Sequence, residues 1–226
     1  MSEPTAVAPV SSLSVTDQVV YALRAAILAG RLSPGHEFSL RQIAAELGVS
    51  FIPVREALRS LEAEGLLVIR PGRSATVAPL REAEVSDLFT LRRQIEPERA
   101  ALCVGRHNPT SLEALSLLLE PCSDPDAEPD VHAKAHCEFH AGLLRLDRMT
   151  IGGRMLITLI RATSRYTRLA EETLGPPPEQ HRRRGNPHLE LLAAFRAGTA
   201  EAVRAALIDY LTHAEQLARE GLLVGA

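Results

Sequence analysis

Apolar residues in the stretch 14–80 recur at helical spacing in three short runs and then switch to alternation. In the first run, 14–30, Val20, Leu23 and Ile27 share one face, and Gly30 is a natural stop. Ser33-Pro34-Gly35 reads as a turn. The second run opens at Ser39, which with Gln42 has the S-x-x-Q form of a capping box; Ile43, Ala44 and Leu47 supply its inner face and Gly48 ends it. A third run begins only two or three residues later. Ser50 is a good N-cap and Pro53 is tolerated in a first turn. Val54, Ala57, Leu58 and Leu61 then face inward until Gly65. Two short β-like runs follow, 66–69 and 74–78, with Pro71-Gly72 between them. Three helices, a tight second connection and a hairpin wing are the plan of a winged helix-turn-helix.

From about residue 82 the pattern is helical throughout. The periodicity predicts helices over 82–106, 110–121, 130–147, 151–173, 187–197 and 199–220, with Pro97 expected to kink the first. The fold class expected is therefore mainly α. A disordered tail spans 1–13, the winged helix-turn-helix 14–80, and an all-helical effector-binding and dimerisation bundle 81–226.

Composition agrees. Hydrophobic residues make up 46%, aromatics only 4%, and Trp is absent, so the cores are built from Leu, Ala, Val and Ile. Net charge is −3, and the first 80 residues balance seven Arg against seven acids. Affinity for nucleic acid would then come from placed arginines and dimerisation, not from a broad positive field. Three cysteines without paired spacing fit a reducing compartment. The first dozen residues lack the basic start and apolar run of a signal peptide, and no stretch approaches the roughly 20 apolar residues of a span. A cytoplasmic protein with no membrane partner is expected.

At about 100° per residue, the third helix turns Ile52, Arg55 and Arg59 away from its core face, with Phe51 at the boundary. Ser50 and the free N–H groups of the helix start suit a phosphate. Arg55 can fork onto guanine or clamp a phosphate, and Arg41 is a further contact. Arg70 and Arg73 flank the hairpin turn. One exposed arginine is more often an ordinary solvated side chain. The combination of short turn, N-cap, arginines and basic hairpin tip favours double-stranded DNA. An outward isoleucine has no core role on so small a domain, whereas thymine methyls would give it one.

The run LRQIAAELGVSFIPVREALRSLEAEGLL (40–67), preceded by ILAGRLSPG (27–35), resembles the DNA-binding domain of the GntR family of regulators. That resemblance implies operator contacts from Arg41, Ser50 and Arg55, with Gly72 near the minor groove. The sequence departs from the family at Phe51 and Ile52, where Arg and Thr are usual.

Seven of the eight histidines lie after residue 100. His136 and His140 are i, i+4 on the inward face of one helix, and His188 lies on the apolar stripe of Leu191, Leu192 and Phe195. Two such histidines plus a third from another helix can hold a divalent metal ion, Zn or Ni in preference to Mn. Hydrogen-bonded core histidines are the bland alternative. Tyr210 aligns with Val203, Ala206 and Leu207, and His213 lies one turn beyond; either offers a fourth ligand. His107 and His181 read as surface residues.

LFTLRRQIEPERAAL (88–102), HCEFH (136–140) and HLELLAAFRAGTAEAVRAAL (188–207) resemble the helical FCD ligand-binding domain of the FadR subgroup. In metal-binding members an Asp and three His hold the ion. Here His136 stands at the Asp position and Tyr210 at that of the last His. The resemblance also implies a small carboxylate effector. Arg92, within the stripe of Val85, Leu88 and Ile95, is placed to pair with it, as is Tyr210; an internal ion pair with a glutamate fits Arg92 equally well. Arg161, Arg165 and Arg168 form a stripe expected to be solvated or to contact a second subunit.

These readings converge on a homodimeric, DNA-binding transcription regulator controlled by a small molecule. A metal-ion sensor, an architectural DNA binder and, remotely, a metal-dependent enzyme are the alternatives. No H-E-x-x-H frame or nucleophile motif accompanies the histidines.

Overall fold

A computed structural model describes residues 14–70, 74–123, 128–175 and 187–224. The tail 1–13, the wing tip with Gly72 and Arg73, and His181 lie outside them.

The N-terminal head contains α1 (Val15–Leu28), β1 (Glu37–Phe38), α2 (Leu40–Leu47), α3 (Phe51–Ala63), β2 (Leu67–Ile69) and β3 (Ala75–Val77). The local chemistry anticipated from sequence is present. Ser39 Oγ accepts from Gln42 N while Gln42 reciprocates on Ser39 N, closing the capping box. Gly48 caps α2 in the left-handed region at φ +63°, which lets α3 start three residues later. Val20, Leu23, Ile27, Val54, Leu58 and Leu61 form the core of the head. The sheet has three strands in the order β1-β3-β2, all antiparallel. β1 is an addition to the expected hairpin: Phe38 is buried while Glu37 faces out, and two residues are too few to show a period.

The bundle contains α4 (Glu82–Ala101), α5 (Pro109–Leu117), α6 (Glu120–Ser123), α7 (Pro129–Leu143), α8 (Ile151–Leu174), α9 (Pro187–Ala197) and α10 (Ala200–Val224). α10 packs along α4 and α8, and Phe89, Phe139, Leu143, Leu192 and Leu207 fill the interior. α4 is assigned as one helix through the buried Pro97 and ends five residues before the expected 106, giving way to turns. α7 likewise ends at Leu143 rather than 147; Arg145 follows at φ +48° and stops it.

Head and bundle are in direct contact. Ala133 of α7 belongs to the core of the head, and Asp130 of α7 pairs with Arg31 beyond α1. The arginine stripe of α8 lies against the head, which corrects the expected solvated or subunit-contact face. Arg161 is 3.5 Å from Glu64, the carboxylate that also takes a fork from Arg24. Arg165 bonds the carbonyl of Ala78, and the guanidinium of Arg168 lies against Gly30.

Candidate nucleic-acid interface and metal centre

α3 turns Val54, Ala57, Leu58 and Leu61 inward, so its other face is left for solvent. Phe51 and Ile52 are 53% and 65% exposed, high for large apolar side chains. Ser50 is the N-cap residue, yet its hydroxyl makes no capping bond, leaving both it and the helix-start N–H groups available. Arg41, in the first turn of α2, and Arg70, at the end of β2, are exposed as well. Arg55 and Arg59 share a weak, exposed contact with Glu56, at 3.6 and 3.3 Å, which holds neither in place.

In the bundle, α7, α9 and α10 converge. His136 and His140 project from α7, His188 from the first turn of α9, and Tyr210 from α10. One ring nitrogen from each histidine can be chosen so that all lie within 4.8 Å of one another. Tyr210 Oη sits at the focus, 3.1 Å from His136 Nε2, 2.9 Å from His140 Nε2 and 3.1 Å from His188 Nε2. His213, the other proposed fourth ligand, is exposed and outside this cluster.

Burial pushes the pKa of His136 and His140 well below the usual imidazole range, and the charges of neighbouring His and Arg92 push the same way. His188 is pushed down to about 4 by burial, then by His132 and Arg92. All three are neutral near pH 7, the form in which imidazole binds metal. His140 Nδ1 is buried without a hydrogen-bond partner among the described residues. Convergent neutral nitrogens from two packed helices fit a divalent ion of the imidazole-preferring kind.

Arg92 is 2% exposed, and its fork is taken up internally. Nε and Nη2 donate to Glu96 at 2.5 and 3.1 Å, and Nη1 donates to Thr163 at 2.6 Å. Burial alone would lower its pKa, but Glu96 overcomes that and raises it. Of the two readings of Arg92, the internal ion pair is the arrangement present. Ile95, assigned to the same stripe, is 41% exposed. His107 is half-buried, bonding Leu143 O at 2.9 Å, not a surface residue.

Sequence reasoning missed Ser164, whose Oγ lies 3.2 Å from His136 Nδ1. The adjacent polar pair Thr163-Ser164 beside the buried Ile160 was the available signal.

A winged helix-turn-helix joined to a helical bundle is the architecture of a DNA-binding regulator. Sequence profiles agree: "Bacterial regulatory proteins, gntR family" matches residues 15–77 and "FCD domain" matches 87–213. The chain belongs to the GntR family of regulators, with an FCD-type C-terminal domain, consistent with the FadR-like subgroup. HTH-type transcriptional regulator McbR of Escherichia coli K12 is 32% identical over 108 residues, 48% of this chain and 49% of that protein. The match thus spans about half of that relative's length. HTH-type transcriptional repressor RspR of the same strain is 24% identical over 209 residues, 91% of this chain and 90% of that protein. Among solved structures, E. coli McbR/YncC superposes with a TM-score of 0.78 at 24% identity, covering 92% of this chain and 99% of that one. A GntR regulator from Rhodococcus sp. RHA1 superposes with a TM-score of 0.72 at 26% identity, with the same coverage.

Proposed function

We propose that this chain is a homodimeric, cytoplasmic transcription regulator that binds double-stranded operator DNA through its winged head, with an affinity set by what occupies the His136–His140–His188 cluster. The observation that carries this reading is that cluster and head share a helix. α7 gives Ala133 to the head's core and Asp130 to Arg31, and presents His136 and His140 from its following turns. A shift of α7 on binding reaches the head with no loop between.

On the DNA side, Ser50 and the N–H groups of α3 meet a phosphate, Arg55 and Arg41 reach guanine edges or phosphates, and Phe51 and Ile52 meet thymine methyls. Arg59, Gly72 and Arg73 complete the contact surface. Two heads on two half-sites require the homodimer. In the bundle, His136, His140 and His188 hold a divalent ion, Zn or Ni before Mn given an all-imidazole set. A bound ion supplies Lewis-acid positions for the oxygens of a small carboxylate metabolite. Binding of duplexes from the flanks of the gene, followed by fluorescence anisotropy at low salt, tests the DNA half. Arg55→Ala is expected to cost about 1–3 kcal/mol and relax specificity at one position; a protein indifferent to every such duplex contradicts it.

A second reading, the metal ion alone as effector, is favoured by two observations. Arg92 is already engaged by Glu96 and so is not free to receive a carboxylate. Tyr210 Oη lies where a metabolite oxygen would have to approach the cluster.

A further inference from the structure

We propose that the outer side of α4 and α8 is a docking face for a second copy of this chain, packed about a two-fold axis with the two α4 helices antiparallel. This rests on the homodimer reading above and deepens it by assigning the surface.

The first observation is an apolar stripe that the bundle does not use. Arg92 faces α8 through Thr163. Counted from it at about 100° per residue, Leu91, Ile95 and Leu102 fall within about 40° of one another. All three are exposed, Leu102 at 60%. The opposite flank of α4 carries Arg93, which bonds Glu215 of α10, so the stripe points away from α10.

The stripe continues onto α8. Arg81 N meets Tyr166 Oη, Arg92 meets Thr163, and Arg99 reaches the carbonyls of Leu144 and Arg145 ahead of α8, so α4 and α8 run antiparallel. In an antiparallel pair, residues turned in the same sense from the contact lie on the same side. Counted from Thr163, Ile151, Met155 and Leu159 turn to the side of Leu91 and Ile95. Ile151 and Met155 are 70% and 61% exposed. Scattered exposed apolar residues are ordinary, whereas a contiguous face on two adjacent helices marks an interaction surface.

Size and charge select the occupant. α4 has 20 residues, which gives it a length of about 30 Å, and two packed helices are about 20 Å wide. Their shared outer side therefore projects to roughly 600 Å², approaching the ~800 Å² of accessible surface each partner gives to a standard interface. The charges at its two ends are opposite. Exposed Glu84 and Asp87 stand at the start of α4, and Arg99, Arg106 and Arg145 gather around Cys103 at its end. Asp87 and Arg106 enter no ion pair among the described residues. A two-fold axis across the stripe sets the acidic end of one α4 against the basic end of the other, so the face complements itself. α8 then carries the subunit contact on one flank and the arginines that hold the head on another, which ties the spacing of the two heads to one helix.

The test is sedimentation equilibrium of the full chain, with Ile95→Glu and Leu102→Glu as variants whose side chains are exposed in the single chain. The parent is expected to be a dimer that weakens as salt is raised. Each variant should raise its dissociation constant at least about thirtyfold, with an unchanged circular dichroism spectrum. Hydrogen exchange of the parent, at concentrations above and below its dissociation constant, needs no variant; protection lost on dilution should centre on 88–102 and 151–159. A dimeric parent with equally dimeric, folded variants, or with protection lost elsewhere, overturns the assigned face and leaves the homodimer standing. A parent that stays monomeric at high concentration overturns both, and gives the face to a different occupant.

Discussion

Ser164 holds His136 from behind, with its Oγ 3.2 Å from Nδ1 and donating to the carbonyl of Ile160 at 2.8 Å. The hydroxyl proton is used on that carbonyl, so Ser164 accepts from His136 Nδ1–H. Nε2 of His136 is then bare and faces the cluster, the tautomer a metal ligand requires. Loss of such an orienting partner typically lowers metal affinity by about 10–100-fold. Ser164→Ala is therefore expected to weaken Zn(II) or Ni(II) binding by at least about tenfold with little change in melting temperature. Competition against a chelating dye measures this, and an unchanged dissociation constant would refute the orienting role.

The same histidines give the metal-free protein a pH signature. His136, His140 and His188 have folded pKa values below the usual imidazole value, His188 at about 4. Above the unfolded value near 6.5 they are neutral in both states, and their contribution to stability is fully present. Below it the unfolded chain takes up protons that the folded chain refuses, so stability is lost as pH falls from about 6.5 toward 4. The melting temperature of the stripped protein should drop across that window. A flat profile there would mean the three rings are solvated.

Arg92 and Glu96 predict a large structural effect rather than a ligand effect. Both are almost fully buried, at 2% and 0% side-chain exposure. Removing one partner of a buried pair leaves an uncompensated charge and costs about 3–5 kcal/mol. Arg92→Gln should lower stability by that order in chemical denaturation. A loss below about 1 kcal/mol would show the pair to be dispensable and Arg92 available for other duty.

Coupling between bundle and head is addressed through Arg161. Its contact with Glu64 at 3.5 Å ties α8 to the carboxylate already held by Arg24. Ser164 and Arg161 are on the same helix, less than a turn apart, one facing the cluster and the other the head. Arg161→Gln is expected to leave metal affinity unchanged and to shrink the metal-dependent change in DNA affinity toward unity. A coupling factor equal to that of the parent protein would exclude α8 as a carrier.

The head was largely legible in the sequence because its signals are local. The S-x-x-Q capping box, Gly48 and the inward row of Val54, Leu58 and Leu61 each act within one or two turns. The histidine cluster was legible for a related reason: i, i+4 spacing places His136 and His140 together, and an apolar stripe marks His188 as inward. What could not be read was partnership across the fold. Arg161, Arg165 and Arg168 look like a solvated stripe when α8 is considered alone, but α8 lies against the head, where Arg161 meets Glu64, Arg165 the Ala78 carbonyl, and Arg168 packs at Gly30 while pairing with Glu172 of its own helix. Ile95 follows a helical apolar period yet is exposed, and the polar pair Thr163-Ser164 beside Ile160 marks a buried polar spot without telling which ring on another helix it serves. β1 was missed because two residues pair with Ala75 and Thr76 only through a return of the chain.

Control of the head from the histidine cluster is decided by one comparison: the affinity of the full chain for a duplex from its own gene's flank, metal-free and after loading with one equivalent of Zn(II) or Ni(II), at fixed low salt. A coupling free energy of about 1–3 kcal/mol, roughly 5–150-fold in affinity, is the predicted result. Equal affinities in both states, with metal shown to be bound at the three histidines, would contradict control of the head from that cluster.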